Sequence, residues 1–118
     1  MSAAIGAAEV LTIDRFQGEL RRAARPRAGP AIAQPLEAAV KKVEANPAVT
    51  QSRLLTRMLN ALTYQRGEFR RADVSGFDSE TLALVIALMD AHVAGTWSRE
   101  RWISAAEQAL AAQAGADG

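Results

Sequence analysis

Two clusters of arginine are the residues of this sequence best suited to binding a charged ligand. One cluster ends a predicted helix at 13–24, and the other lies along and after a predicted helix at 48–65. Guanidinium groups form strong, often bidentate, hydrogen bonds with phosphates and carboxylates. The clusters are therefore candidate contacts for nucleic acid or for an acidic protein partner, and they comprise Arg21, Arg22, Arg25, Arg27, Arg53, Arg57, Arg66, Arg70 and Arg71.

The same arginines have a second interpretation. Basic residues near the carboxyl end of a helix oppose the helix dipole and keep an alanine-rich surface soluble. Reading DNA bases requires polar or basic residues at the start of a recognition helix, and the run at 50–53 could serve as such a start. That helix also carries Leu55, Leu59 and Leu62, which we expect in the core. The sequence leaves both interpretations open.

A segment at 90–101 has some features of a calcium-binding loop. It begins with Asp90, has Gly95 at its sixth position and lies between two predicted helices. In these points it resembles the EF-hand loop. Three positions that should supply oxygen ligands hold other residues, namely His92, Ala94 and Arg101. We therefore expect a metal-free turn between two helices.

The remaining polar residues do not form a recognisable catalytic set. His92 is the only histidine, and Asp90 lies two positions before it, so the two do not share a helix face. The chain has no cysteine, no glycine-rich phosphate loop and no nucleophile elbow. Trp97 and Trp102 are expected in the core, where indoles usually anchor small domains. The sequence predicts no catalysis, no cofactor and no metal.

Helices are the elements that must position these residues. Apolar spacings of three and four, together with prolines, glycines and capping residues, predict helices at 13–24, 35–45, 48–65, 79–94 and 99–113. The helix at 79–94 is apolar around most of its circumference and should therefore be central. We predict an all-α fold: a small orthogonal or up-down bundle of four to five helices, with a helix–turn–helix pair at about 48–112 around the buried helix 79–94.

A similarity at a spacing of 28 residues suggests that one helix–turn unit is used twice. In both copies a leucine-rich helix is followed by Gly-x-aromatic, first at Gly67 and Phe69, then at Gly95 and Trp97. The simplest interpretation is that each glycine adopts a left-handed conformation that ends its helix. Chance is the alternative, because glycine is common at helix ends.

The chain length of 118 residues allows one domain. We expect a flexible N-terminus at 1–11, a single helical domain at 12–112 and a flexible tail at 113–118. Within that domain, 48–112 should form the compact core. The part at 12–46 contains the proline-rich segment 25–30 and should form a more loosely docked helical hairpin.

Charge is divided unevenly along the chain. Residues 1–76 hold twelve Lys and Arg against seven Asp and Glu, whereas residues 77–118 hold two against six. Such a division could orient two copies, or a charged partner. We expect a non-catalytic, self-associating protein-interaction module in the cytoplasm, without a membrane segment. The alternative is a DNA-binding or transcription-regulatory protein that uses the arginine clusters.

Overall fold

The computed structural model describes residues 9–24 and 32–117, which form six helices and one two-stranded antiparallel sheet. The predicted all-α class is confirmed. In chain order the elements are β1 (Val10–Thr12), α1 (Ile13–Ala24), α2 (Pro35–Ala45), α3 (Thr50–Tyr64), β2 (Glu68–Arg70), α4 (Arg71–Gly76), α5 (Ser79–Ala94) and α6 (Arg99–Asp117).

Local sequence signals set most of the helix ends. Pro35 begins α2, a position where its missing N–H costs nothing. Asp78 caps α5 by accepting a hydrogen bond from the Thr81 N–H, and Gly95 ends that helix in a left-handed conformation with φ of 67°. At the C-terminus, α6 continues to Asp117, within the segment for which we expected a flexible tail.

The sheet and α4 were not predicted. Strand β1 starts within the segment 1–11 that we expected to be flexible. Strand β2 and α4 occupy residues 68–76, for which the charged sequence predicts a loop. Leu11 lies opposite Phe69 in the sheet, and both side chains are buried. Three-residue strands are too short to show a period, and α4 has no buried residue, so neither produces an apolar pattern.

Helix α3 is more deeply buried than α5, the helix for which the sequence predicted the central place. Nine of its fifteen residues are buried, against six of sixteen in α5. The difference arises partly from hydroxyl residues, which apolar patterning ignores. Thr56 and Thr63 are buried in α3 because each hydroxyl donates to the carbonyl four residues earlier, at Ser52 and Leu59 respectively.

The first two helices pack on the same core as the rest of the described chain. Phe16 and Leu20 of α1 are buried, and α1 contacts α4 and α5. Helix α2 buries Leu36, Ala39 and Val43 and contacts α3, α5 and α6. Both helices are therefore part of the packed domain within residues 9–24 and 32–117.

The two Gly-x-aromatic segments do not have the same structure. Gln65, with φ of 53°, takes the left-handed position that ends α3, so the assignment of that role to Gly67 is wrong. Gly95 does take this position at the end of α5. The chain then continues into β2 after Gly67 but directly into a turn and α6 after Gly95. The similarity is therefore one of sequence pattern and not of a repeated unit.

Within the described ranges, no helix combines the length and apolarity needed to cross a lipid bilayer.

Candidate functional site

Two arginines of the first cluster form ion pairs with carboxylates of the same chain. Arg21 on α1 donates to the Asp90 carboxylate on α5 at 2.8 Å, and Arg22 pairs with Glu19 one helical turn away at 3.1 Å. Arg25 and Arg27 lie outside the described residues. The structure therefore gives Arg21 a role in joining α1 to α5.

Arg71, at the start of α4, holds the N-terminal strand in place. Its guanidinium donates to Glu9 at 2.7 Å and to Glu19 at 3.1 Å, and its backbone N–H donates to the Glu9 carbonyl at 2.9 Å. The hydrogen bond to Glu9 raises the pKa of Arg71 above its usual value, although partial burial acts in the opposite direction. Arg71 thus stays charged and joins β1, α1 and α4.

Arg57 holds the segment after α3 against that helix. Its guanidinium donates to the Glu68 carbonyl at 3.1 Å, lies 3.5 Å from the Asp73 carboxylate, and covers the Phe69 ring at 4.8 Å from the ring centre. The other face of Phe69 stacks on Phe16, with ring centres 4.1 Å apart. Phe69 is thus held between a cation and a second aromatic ring, an arrangement that favours a fixed position.

Three arginines of the second cluster remain. Arg53 donates to the Ala48 carbonyl at 3.2 Å, at the start of α3. Arg66 and Arg70 are exposed, and neither side chain forms an ion pair among the described residues. Among the described members of the two clusters, Arg21, Arg57 and Arg71 therefore contribute their charge to contacts between elements of the fold, whereas Arg66 and Arg70 remain exposed.

A groove between α3 and α6 was not predicted from sequence. Its volume is about 280 Å³, and the chain at 66–69 contributes to its lining. The lining also includes the buried side chain of Ala61 together with Arg57 and Leu110.

The sequence spacing of Trp102, Ala106, Ala109 and Leu110 predicts that Leu110 lies on the inward stripe of α6, but 48% of its surface is exposed. That expectation is wrong because Trp102, Ala105, Ala106 and Ala109 occupy the inward face. Leu110 follows Ala109 by one position, and one residue turns a helix by about 100°. Leu110 therefore lies at the edge of the packed face and forms a wall of the groove.

Both tryptophans lie at the junction of α5 and α6. Trp102 is buried as predicted, Trp97 is partly buried, and the two indoles meet edge to face at 6.4 Å. The His92 ring packs against Trp102 at 5.1 Å, and its Nε2 lies 3.4 Å from the Gln65 amide nitrogen. Arg99 donates to the Thr63 carbonyl at 3.0 Å. These polar contacts connect the carboxyl ends of α3 and α5 with each other and with the start of α6.

The described residues contain no group of three or more histidine, aspartate or glutamate side chains that could hold a metal ion. In the segment that resembles an EF-hand loop, the Asp90 carboxylate is paired with Arg21. The groove between α3 and α6 is one of several depressions in the described surface, and it has the exposed Leu110 in its lining.

Comparison of the chain with protein-family models, with curated proteins and with solved structures found no match.

Proposed function

We propose that this protein is a non-catalytic helical interaction module that associates with itself through the groove between α3 and α6. The observation that carries the proposal is Leu110, which is 48% exposed and forms part of the groove lining. An exposed apolar side chain gains free energy when a second surface covers it.

The other exposed apolar residues support this choice of surface. Five large apolar side chains are exposed among the described residues: Val10, Val49, Tyr64, Val93 and Leu110. Single exposed apolar residues are ordinary on protein surfaces. Leu110 differs from the other four because it lines a groove together with Phe69 and Ala61.

Substitution at Leu110 tests the proposal. We expect the wild-type protein to form a dimer whose population rises with concentration. Leu110→Glu should raise the dimer dissociation constant at least about tenfold, because burying a leucine contributes roughly 1.5–3 kcal/mol and each 1.4 kcal/mol is tenfold. Sedimentation velocity over a concentration series would measure the change.

Val49→Glu is the matched control for that experiment. Val49 is also 48% exposed, does not line the groove, and receives the same added charge. Its dissociation constant should equal that of the wild type. A wild-type protein that stays monomeric at the highest soluble concentration would exclude self-association. Equal weakening by both substitutions would remove the groove from the interface.

Nucleic-acid binding is a second candidate, favoured by the exposure of Arg66 and Arg70. If these side chains contact phosphates, a mobility shift with mixed duplex DNA should weaken steeply with salt. Arg66→Gln with Arg70→Gln should reduce the salt slope by about two, one for each phosphate contact. Lys41→Gln, which removes an exposed charge on α2, is the control. Absence of binding, or an affinity independent of salt, would exclude this candidate.

A further inference from the structure

We infer that the partner in the groove is a second copy of this chain, placed by a two-fold axis close to Leu110, so that each copy sets its Leu110 into the other's groove and its Glu107 against the partner's Arg66. The inference rests on the proposed function and specifies the geometry of the interface.

The outer face of α6 has the composition needed for a helix-to-surface contact. Four exposed positions follow the helical spacing of three and four, so that they lie on one face: Glu107, Leu110, Ala111 and Ala114. Alanines allow the backbone of this helix to approach another surface closely. The face therefore presents one large apolar side chain, two small ones and a carboxylate one turn before the leucine.

The groove and the exposed Leu110 belong to the same surface, because Leu110 itself forms one wall of the groove. A two-fold interface requires such self-complementarity, since the same patch must supply both halves of each contact. With the axis close to Leu110, the exposed part of each leucine enters the other copy's groove. A head-to-tail arrangement would need the complementary feature elsewhere on the molecule.

Charge gives the contact its orientation. Arg66 and Leu110 both line the groove, and Glu107 lies one turn before Leu110 on α6. Both side chains are exposed, and neither forms an ion pair within the described residues. Arg57 is engaged by Glu68 and Asp73, which leaves Arg66 as the groove cation available to a second copy. Opposite charges across an interface fix its register.

Charge reversal tests the pairing. We expect Glu107→Arg to weaken the dimer by about three- to tenfold, because it replaces an attraction by a repulsion at both symmetry-related contacts. Arg66→Glu should do the same. An equimolar mixture of the two variants should form dimers with nearly wild-type affinity, because every contact in the mixed dimer again joins an arginine to a glutamate. Sedimentation velocity gives each dissociation constant.

The experiment with the equimolar mixture distinguishes an ion pair between two chains from an ion pair within one chain. A pair within one chain would not be restored when two single variants are combined. Glu100→Arg, on the first turn of the same helix, is the control and should leave the dissociation constant unchanged. Circular dichroism of each variant shows that it is folded.

The possible results have different meanings. If the mixture does not recover while Leu110→Glu still separates the dimer, the two-fold arrangement is wrong and the proposed function stands. If the wild type is monomeric, both are overturned. If the mixture recovers and the Glu100→Arg control is unchanged, the arrangement is supported.

Discussion

At the scale of single residues, the arginines show how the same side chain serves different purposes. Arg71 joins Glu9 and Glu19, Arg57 covers Phe69, and Arg21 reaches Asp90. Each of these contacts links elements that are distant in sequence, and none can be seen from the spacing of arginines alone. A cluster of basic residues in a short helical protein therefore indicates a binding surface only after the carboxylates near it are known.

Asp78 gives a prediction at this scale. Burial acts to raise the pKa of Asp78. The hydrogen bonds with Thr81 and the positive charge of Lys42 lower this pKa by more than burial raises it, so it lies below the ordinary value of 3.8. Asp78→Ala should lower the free energy of unfolding by about 1 kcal/mol near neutral pH, because the α5 cap is lost. Asp78→Asn should cost less, since asparagine also caps helices. Chemical denaturation measures both.

The pH dependence of that difference has a definite sign. Because the pKa of Asp78 is lower in the folded state, its ionised form contributes stability that is fully present above pH 3.8. This contribution is lost as the pH falls through the lower, folded-state pKa. Wild type and Asp78→Ala should therefore converge in acid. A difference that is constant down to the acid transition would contradict the role of the carboxylate.

At the scale of elements, the strand β1 depends on a partner far along the chain. Three residues are too few to form a strand alone, and they are fixed by the backbone pairing with β2 and by the Glu9–Arg71–Glu19 network. Leu11 is fully buried against this framework, whereas Val10 on the other side of the strand is 57% exposed.

Leu11→Ala tests whether this strand is part of the core. Removing a fully buried leucine side chain should lower the free energy of unfolding by about 2–4 kcal/mol. Val10→Ala, one position away in the same strand, should change it by less than about 0.5 kcal/mol. Thermal and urea denaturation would measure both. Equal, small effects would mean that the strand does not contribute to stability.

Helices were predictable from this sequence because their signals are local. Pro35, Asp78 and Gly95 act on the residues next to them, so the helix ends that they set follow from the nearby sequence. The strands were missed because their pairing joins distant residues, and the role of Gly67 was misassigned because Gln65 takes the left-handed position two residues earlier. Local preference therefore determined the five predicted helices, whereas the two strands and the short helix α4 were not visible in the local pattern.

At the scale of the whole molecule, the uneven charge along the chain is partly balanced within the fold. Arg21 pairs with Asp90 and Lys42 with Glu80, so that basic residues of the first part meet acidic residues of the second. These pairs are largely exposed, and each contributes at most about 1 kcal/mol. The division of charge thus supports the packing of α1 and α2 on α5, and it is a weaker argument for an external partner than it was in sequence alone.

The candidate groove could not be predicted, because it is formed by residues from α3, from the chain at 66–69 and from α6. Sequence periodicity placed Leu110 inside, and only the packing of four inward residues on α6 shows that it lies at the edge. Arg66 was named as a candidate contact from sequence and does line the groove. Sites built between elements require the arrangement of those elements to be known first.

The position of the two tryptophans determines what an optical experiment on this protein reports. Both indoles lie near the carboxyl end of α3, where the Thr63 hydroxyl donates to the Trp102 carbonyl. Indole emission therefore records events at the junction of α3, α5 and α6. The rings packed beside β1 are those of Phe16 and Phe69, and neither contacts an indole ring among the described residues. Loosening of β1 should therefore change indole emission little, and a backbone-sensitive signal would be needed to detect it.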